Sequence, residues 1–242
     1  MERIQIAPSI LSADLANIEK EVKRIEKSGA DAIHVDIMDG QFVPNITFGP
    51  VIVAAMNRHT NLFLDVHLMI YEPDRLIEPF VKAGADRITV HYEATETLEE
   101  TLEFIRSCGI EAGVSFRPET SMSTMLRYIP LCDSILIMTV NPGFSGQEFM
   151  PEVINKISFA RECARRMELK TKLMKYRNEE GLFTIQVDGG INKETLKVCA
   201  EAGANSFVSG SFLFNGENLE EGISLLRKEG ELSFDPNVTF EE

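Results

Sequence analysis

Histidine and aspartate side chains alternate at two places in this chain, in a pattern that suits metal-assisted chemistry. His34-Val35-Asp36 and Asp65-Val66-His67 each place a histidine two residues from an aspartate, and Asp188 precedes two glycines. In a β-strand, residues two apart point to the same face. Imidazoles and carboxylates suit Zn²⁺, Mn²⁺, Fe²⁺ or Co²⁺. The pattern predicts one divalent metal ion, with zinc favoured, held by His34, Asp36, His67 and Asp188.

Three glycine-rich turns form a second group of candidate residues, suited to holding an anion. They span Asn141–Gly146, Asp188–Gly190 and Ser209–Ser211. A formal net charge of −14 argues against nucleic acid or a membrane as partner, because both attract clustered Lys and Arg. An acidic protein therefore holds phosphate locally, with backbone N–H groups at turns and helix starts. Glycine's conformational freedom explains any one turn, but the three together predict a phosphate site.

The elements that carry these residues follow a regular alternation. Short β-branched runs alternate with longer amphipathic stretches, which is typical of repeated βα units around a parallel sheet. Eight units in a chain of 242 residues predict an α/β fold of the (β/α)8 TIM-barrel type. The predicted strands are Ile4–Pro8, Ala32–Asp36, Leu62–His67, Arg87–Val90, Glu111–Ser115, Ser134–Met138, Thr184–Asp188 and Ser206–Ser209.

Strand ends decide how the candidate residues are interpreted. In a (β/α)8 barrel the chemistry lies at the carboxyl ends of the strands, where all four metal candidates and the three turns are predicted. A structural hydrogen bond explains any single buried His or Asp equally well, whereas four at one rim favour a metal. His91 follows the fourth strand without a second residue to support a ligand role, so we expect a structural or substrate contact. His59 is expected on the surface.

The remaining chain is expected to form one domain. Residues 1–230 are predicted as a single catalytic barrel and 231–242 as an acidic, loosely held tail. Gln41–Pro50 is too long for a tight turn and suits a lid or a contact between subunits. Met167–Leu182 is predicted as an extension of the sixth helix followed by a surface loop. The amino-terminal residues lack the pattern of a secretory signal, so the cytoplasm is the expected location.

Several segments make this chain resemble the ribulose-phosphate 3-epimerase family. The resemblance extends in order from about Ile6 to Phe214, and the His-Val-Asp-Ile-Met-Asp-Gly and Asn-Pro-Gly-Phe blocks are its most specific parts. It implies a barrel of the ribulose-phosphate-binding type. The segments are Ala7–Asp14, His34–Gly40, Phe42–Asn45, Asp65–Met69, Asn141–Phe144 and Val187–Ile191.

The resemblance also implies roles for individual residues. His34, Asp36, His67 and Asp188 would bind the metal, and Asp36 and Asp188 would exchange the C3 proton from opposite faces of the sugar. Inversion needs a base on one face and an acid on the other. The implied substrate and phosphate contacts are Ser9, His67, Gly143, Phe144, Ser145, Gly146, Gly189, Gly190, Gly210 and Ser211. The residues implied to line the reaction centre are Met38, Met69 and Met138.

The implied activity is metal-dependent C3 epimerisation of a ketose phosphate through an enediolate. D-ribulose 5-phosphate to D-xylulose 5-phosphate, a step of the pentose phosphate pathway, is favoured, with D-allulose 6-phosphate to D-fructose 6-phosphate as the alternative. A Schiff-base aldolase needs a lysine at a strand end, and no lysine falls on a predicted strand. A sugar-phosphate sensor without catalytic activity is expected to lack Asp36 or Asp188, and both are present. Family members are often homo-oligomers, which predicts self-assembly here.

The sequence departs from the family pattern at three places, which limits the residue roles that the resemblance implies. Lys170–Leu182 resembles an insertion before the seventh barrel strand, remote from the chemistry. Arg117 stands where relatives commonly carry a small polar residue, a change expected to affect substrate length or assembly. Ser145 stands where glycine is frequent, which is tolerable if its φ is negative.

Overall fold

The computed structural model describes residues 4–172 and 180–240. Eight parallel strands form one sheet: β1 (Gln5–Pro8), β2 (Ala32–Met38), β3 (Phe63–Met69), β4 (Arg87–His91), β5 (Glu111–Phe116), β6 (Ser134–Met138), β9 (Thr184–Asp188) and β10 (Ser206–Ser209). Their order in the sheet is β1-β10-β9-β6-β5-β4-β3-β2, and β7 (Lys170–Lys172) and β8 (Glu180–Leu182) form a separate pair. A parallel bridge between Ser9 and His34 joins the two outer strands and nearly closes the barrel.

The predicted (β/α)8 barrel is confirmed, and the ends of each predicted strand differ from the observed ones by at most two residues. Nearly every strand residue is buried, as expected for a parallel sheet covered by helices. The helices are α1 (Ile18–Lys27), α2 (Pro50–Asn57), α3 (Asp74–Ala83), α4 (Leu98–Ser107), α5 (Met122–Tyr128), α6 (Ile154–Arg166), α7 (Lys193–Glu201), α8 (Ser211–Phe214) and α9 (Leu219–Ser233).

Two side chains fix where helix α7 begins. Asn192 accepts from the backbone N–H groups of Glu194 and Thr195, and the Thr195 hydroxyl accepts in return from the Asn192 N–H. This capping box starts α7 directly after the Asp188–Gly190 turn.

Within residues 4–172 and 180–240, no helix has the length and apolar character needed to cross a membrane.

The prediction of an extended sixth helix was wrong. Helix α6 ends at Arg166, and the chain turns through Glu168, whose φ is 55°. It then forms an antiparallel pair of strands, β7 (Lys170–Lys172) and β8 (Glu180–Leu182). Thr171 fixes this hairpin to the barrel, because its hydroxyl donates to the Asp133 carbonyl and accepts from the Thr184 N–H. Residues 173–179 of the expected insertion lie outside the described residues.

The carboxyl-terminal segment packs against the barrel as far as Phe240. Helix α9 continues past residue 230 to Ser233, so the expected tail begins as helix. The ring centres of Phe240 and Phe159 lie 5.5 Å apart, with the rings edge to face. The backbone N–H of Phe240 donates to Glu162 Oε2 at 2.8 Å. The expectation of a loosely held tail does not describe these residues, because aromatic side chains in this acidic segment contact α6. Residues 241–242 lie outside the described part of the chain.

Candidate active site

Four metal-ligand candidates converge at the carboxyl ends of three strands. His34 and Asp36 lie on β2, His67 on β3 and Asp188 at the end of β9. One ligand atom from each lies within 4.8 Å of the others. The alternation of β2 and β3 directs these side chains to the barrel interior, and the parallel register pairs Asp36 with His67. The cluster predicted from the sequence is therefore present as a group of atoms close enough to share one ion.

His34 presents one ring nitrogen to this cluster and the other to a buried carboxylate. Its Nδ1 lies 2.9 Å from Asp65 Oδ2, which also accepts from Gln186 Nε2 at 2.8 Å. The Arg87 guanidinium lies 3.5 Å from the second Asp65 oxygen. His34 Nε2 is buried, faces Asp36 Oδ1 at 3.3 Å, and has no hydrogen-bond partner among the described residues. A carboxylate behind a ligating histidine is common at metal sites, where it fixes the orientation of the ring.

His67 presents its Nδ1 to the cluster. This atom lies 3.2 Å from Asp36 Oδ1 and 4.0 Å from Asp188 Oδ2. Its Nε2 lies 2.9 Å from Nε2 of His91, at the end of β4. Burial lowers the pKa of His67 and lowers the pKa of His91 to about 4, so both rings are neutral near pH 7. Neutral imidazole is the form that binds a metal.

The two aspartates of the cluster differ in their protonation. Burial and the charge of Asp36 raise the pKa of Asp188 to about 7. Burial acts in the same direction on Asp36, but the positive charge of His34 outweighs it and holds the Asp36 pKa below its usual range. Ser9 also donates to Asp36 Oδ2 at 2.6 Å. Such a pair, with pKa values moved apart, suits one proton acceptor and one proton donor.

The residues present fit a divalent cation. Two imidazole nitrogens and two carboxylates form the donor set, which suits Zn²⁺, Mn²⁺, Fe²⁺ or Co²⁺. His34 Nε2 is a buried polar atom without a hydrogen-bond partner in the described structure, and a cation would satisfy it. Burial opposes protonation of His34, but Asp36 and Asp65 together raise its pKa well above the usual value. A bound cation would take the place of that proton.

The cluster lies at the base of a cavity of about 720 Å³. Asp36 and Asp188 line this cavity, whereas His34 and His67 lie beneath its surface. The other predicted substrate residues are part of its wall: Ser9, Gly143, Phe144, Ser145, Gly146, Gly189, Gly190, Gly210 and Ser211. The structure thus brings the three glycine-rich turns to one side of a single cavity.

The backbone at the Asp188–Gly190 turn requires glycine. Gly189 and Gly190 have φ values of 124° and 62°. A Cβ on Gly190 would lie 2.8 Å from the backbone nitrogen of Phe149, and one on Gly189 would lie 2.5 Å from a Val140 methyl. Glu72 and Glu168 are the non-glycine residues with positive φ in the described part of the chain, so Ser145 has an ordinary conformation.

Three methionines, Met38, Met69 and Met138, line the cavity beside the cluster and are almost fully buried. Met38 and Met69 end the neighbouring strands β2 and β3, where the register pairs them directly. Thioether side chains offer no strong acceptor or acidic proton. They form an apolar wall next to the carboxylates.

The Gln41–Pro50 segment covers one side of the site. The Asn45 amide donates to the Gly143 carbonyl at 3.0 Å, which joins this segment to the loop after β6. Arg117, after β5, donates to the Phe42 carbonyl at 3.1 Å and places its guanidinium 4.2 Å from the centre of the Phe42 ring. The Phe42 ring lies 4.8 Å from the His91 ring. Arg117 therefore holds the segment against the residues behind the cluster.

Sequence reasoning missed the residues behind the metal-ligand candidates. The sequence predicts no role for Asp65, although Asp65 lies in the same strand motif as His67, and it predicts none for Gln186. His91 had no supporting partner in the sequence, yet it is fully buried and contacts His67. Glu93, two residues later, could have supplied that support, since its carboxylate lies 3.2 Å from His91 Nδ1. His59 lies away from the cluster and near Glu19 of α1.

Comparison with known proteins decides the family. Residues 5–214 match the model of the ribulose-phosphate 3-epimerase family. The chain belongs to this family. It is 50% identical to a ribulose-phosphate 3-epimerase of Chlamydia trachomatis, over 93% of this chain and 94% of that protein. It is 47% identical to the enzyme of that name from Bacillus subtilis, over 93% and 98% of the two chains. The expected family and its epimerase class of enzyme are confirmed.

Solved structures with low sequence identity share the fold. A KGPDC from Streptococcus mutans has a TM-score of 0.70 at 12% identity, covering 96% of this chain and 99% of that one. A 3-keto-L-gulonate-6-phosphate decarboxylase from Vibrio cholerae has a TM-score of 0.65 at 13% identity, covering 97% and 100%. At such identities the likeness supports the barrel fold alone.

Proposed function

We propose that this protein interconverts D-ribulose 5-phosphate and D-xylulose 5-phosphate by inverting C3, with one divalent metal ion. The observation that carries the proposal is the pairing of Asp36 and Asp188. Their carboxylates project from separate strands into one cavity, beside two histidines that complete a metal-ligand set. Membership in the epimerase family and relatives of that name at 47–50% identity support the five-carbon substrate.

His34, Asp36, His67 and Asp188 would hold the metal ion, and zinc is the proposed ion because it suits mixed nitrogen and oxygen donors. A bound divalent ion supplies a Lewis acid that stabilises negative charge on an enediolate oxygen. The protein's own contribution is to keep both histidine rings oriented and both carboxylates within reach of the same carbon. Asp65 performs the orienting task for His34.

Asp36 and Asp188 would transfer the C3 proton on opposite faces of the sugar. In one direction the ionised Asp36 accepts the proton, and Asp188, with its raised pKa, donates a proton to the other face. The reverse reaction exchanges the two roles. A single carboxylate would return the proton to the face it came from, so inversion requires both. The Ser9 hydroxyl bound to Asp36 Oδ2 orients this carboxylate.

The substrate phosphate would bind at the glycine-rich turns. Helix α8 begins at Ser211 without a side-chain cap, and the first N–H groups of a helix have no partner within it. Together with the Gly143–Gly146 and Gly189–Gly190 turns, these groups supply local hydrogen-bond donors to an anion in a protein of net charge −14. Met38, Met69 and Met138 would keep water from the enediolate.

Proton NMR in deuterated water tests this function. The zinc-loaded protein is incubated with ribulose 5-phosphate and, separately, with allulose 6-phosphate. We expect deuterium at C3 and formation of the C3 epimer from the five-carbon sugar, both abolished by Asp188→Asn. Faster turnover of the six-carbon sugar would instead make the protein an allulose-6-phosphate 3-epimerase. Exchange with neither sugar would remove the epimerase proposal.

Two further properties are part of the proposal. Self-assembly into a homo-oligomer is proposed from the sequence resemblance, and light scattering of the purified protein measures it. A cytoplasmic location is supported by the four cysteines, which are unpaired, as expected in a reducing compartment.

A further inference from the structure

A chain of hydrogen bonds, here termed the His67–His91–Glu93 relay, extends outward from one of the metal-ligand candidates. His67 Nε2 lies 2.9 Å from His91 Nε2, and His91 Nδ1 lies 3.2 Å from Glu93 Oε2. Both histidines are fully buried, and the two rings stack with their centres 5.0 Å apart. The relay leaves His67 Nδ1 as the ring atom directed at Asp36 and Asp188.

The second oxygen of Glu93 is already bound by two donors. The backbone N–H of Arg117 donates to Glu93 Oε1 at 3.0 Å, and the Thr120 hydroxyl also donates to this oxygen. A backbone N–H can only donate, so the atom facing Arg117 must be an acceptor. Glu93 Oε2 is thereby left for His91.

The relay determines which nitrogen of each ring carries a proton. An ionised carboxylate only accepts, so His91 must donate from Nδ1, which makes Nε2 of a neutral His91 an acceptor. His67 must then donate from its own Nε2. A neutral imidazole has one N–H, so Nδ1 of His67 keeps its lone pair on the side of Asp36 and Asp188.

We propose that His91 and Glu93 are positioning residues that fix the tautomer of His67, so that its Nδ1 is available to the metal ion. This inference rests on the proposed metal centre and deepens it, since it assigns to His67 the support that Asp65 gives to His34. The two ligating histidines are then fixed from opposite ring atoms, His34 through Nδ1 and His67 through Nε2.

Glu93→Gln tests the relay with little change of shape. The amide oxygen of the glutamine stays with the Arg117 N–H, so its NH₂ group faces His91 Nδ1. His91 must then accept at Nδ1 and donate from Nε2, which moves the proton of His67 onto Nδ1, the atom that would bind the metal. We expect zinc affinity, measured by competition with a chromogenic chelator, to fall by about 10- to 100-fold.

A matched control carries the same substitution at an exposed ion pair. Glu99 binds Arg127 on the outer surface, with 44% of the Glu99 side chain exposed. Glu99→Gln is expected to keep the wild-type zinc affinity. Circular dichroism of both variants checks that they are folded.

Nitrogen-15 NMR of the zinc-loaded wild-type protein tests the relay without any variant. The chain has four histidines, so the ring signals can be assigned. We expect His91 in the Nδ1–H form and a proton on Nε2 of His67. His91 in the Nε2–H form would overturn the inference, as would an unchanged zinc affinity in folded Glu93→Gln. Failure of the wild-type protein to bind zinc would instead remove the metal centre itself, which separates the two failures.

Discussion

Asp36 and Asp188 lie on strands that are separated by β1 and β10 in the barrel, yet their carboxylate oxygens come within 4.8 Å. Their pKa values move in opposite directions, because Asp36 contacts both histidines, whereas Asp188 is partly buried beside the charge of Asp36. Two like charges this close in a cavity are costly to maintain together. A proton on Asp188 or a divalent cation between the two relieves the repulsion.

Metal affinity is expected to depend on pH because His34 carries a proton in the metal-free protein. Asp36 and Asp65 raise the pKa of His34 well above its usual value. A cation must displace this proton, so zinc affinity should fall as the pH is lowered from 8 to 6, by about tenfold per pH unit. Calorimetry in buffers of different ionisation enthalpy measures the released protons. A zinc affinity that does not change between pH 8 and pH 6 would contradict the assigned protonation.

Gly190→Ala is expected to weaken phosphate binding. The φ of 62° disfavours a side chain, and the added Cβ would meet the Phe149 backbone, which cannot move aside as a flexible side chain would. Strain of about 1–3 kcal/mol in the turn should raise the KM for ribulose 5-phosphate roughly tenfold. Gly49→Ala is the control, because its Cβ meets nothing within 4 Å and its φ is negative. Equal KM values for the two variants would argue against a tightly fitted turn.

Arg87→Met is expected to destabilise the fold. Arg87 is buried and binds Glu111 through two nitrogens at 3.0 and 2.7 Å, and it lies 3.5 Å from the fully buried Asp65. Its loss leaves buried carboxylates without a cation, which costs about 3–5 kcal/mol. Urea denaturation measures the free energy of unfolding. The exposed pair of Arg127 and Glu99 gives the comparison, since Arg127→Met should cost less than about 1 kcal/mol.

Arg117→Ala is expected to loosen the Gln41–Pro50 segment. The variant loses the hydrogen bond to the Phe42 carbonyl and the contact of the guanidinium with the Phe42 ring. A loss of about 1 kcal/mol should speed hydrogen exchange of the amides in this segment about fivefold. Arg106→Ala removes an ion pair with Asp133 elsewhere on the barrel and should leave this exchange unchanged. Unaltered exchange in Arg117→Ala would show that the contact does not hold the segment.

The sequence by itself determined the barrel and the metal-ligand candidates. Strand periodicity is a local property, and β-branched runs such as Ala32–Met38 and Phe63–Met69 were located to within two residues. The alternation of His34 with Asp36 and of Asp65 with His67 also determined which side chains share a face. Because parallel strands end at one rim of the barrel, the sequence also predicted Asp188 beside His34, Asp36 and His67.

Only the tertiary structure decided how these residues are supported. His91 and Glu93 lie on and after β4, and their use depends on a contact between rings of neighbouring strands that no sequence spacing reveals. The hairpin after α6 was predicted as helix, because local charge patterning does not report the contacts of Thr171 with Asp133 and Thr184. Protonation likewise followed from burial and neighbouring charges. Sequence determines the types of the candidate ligands, whereas their tautomers and charges depend on groups that meet only in the folded barrel.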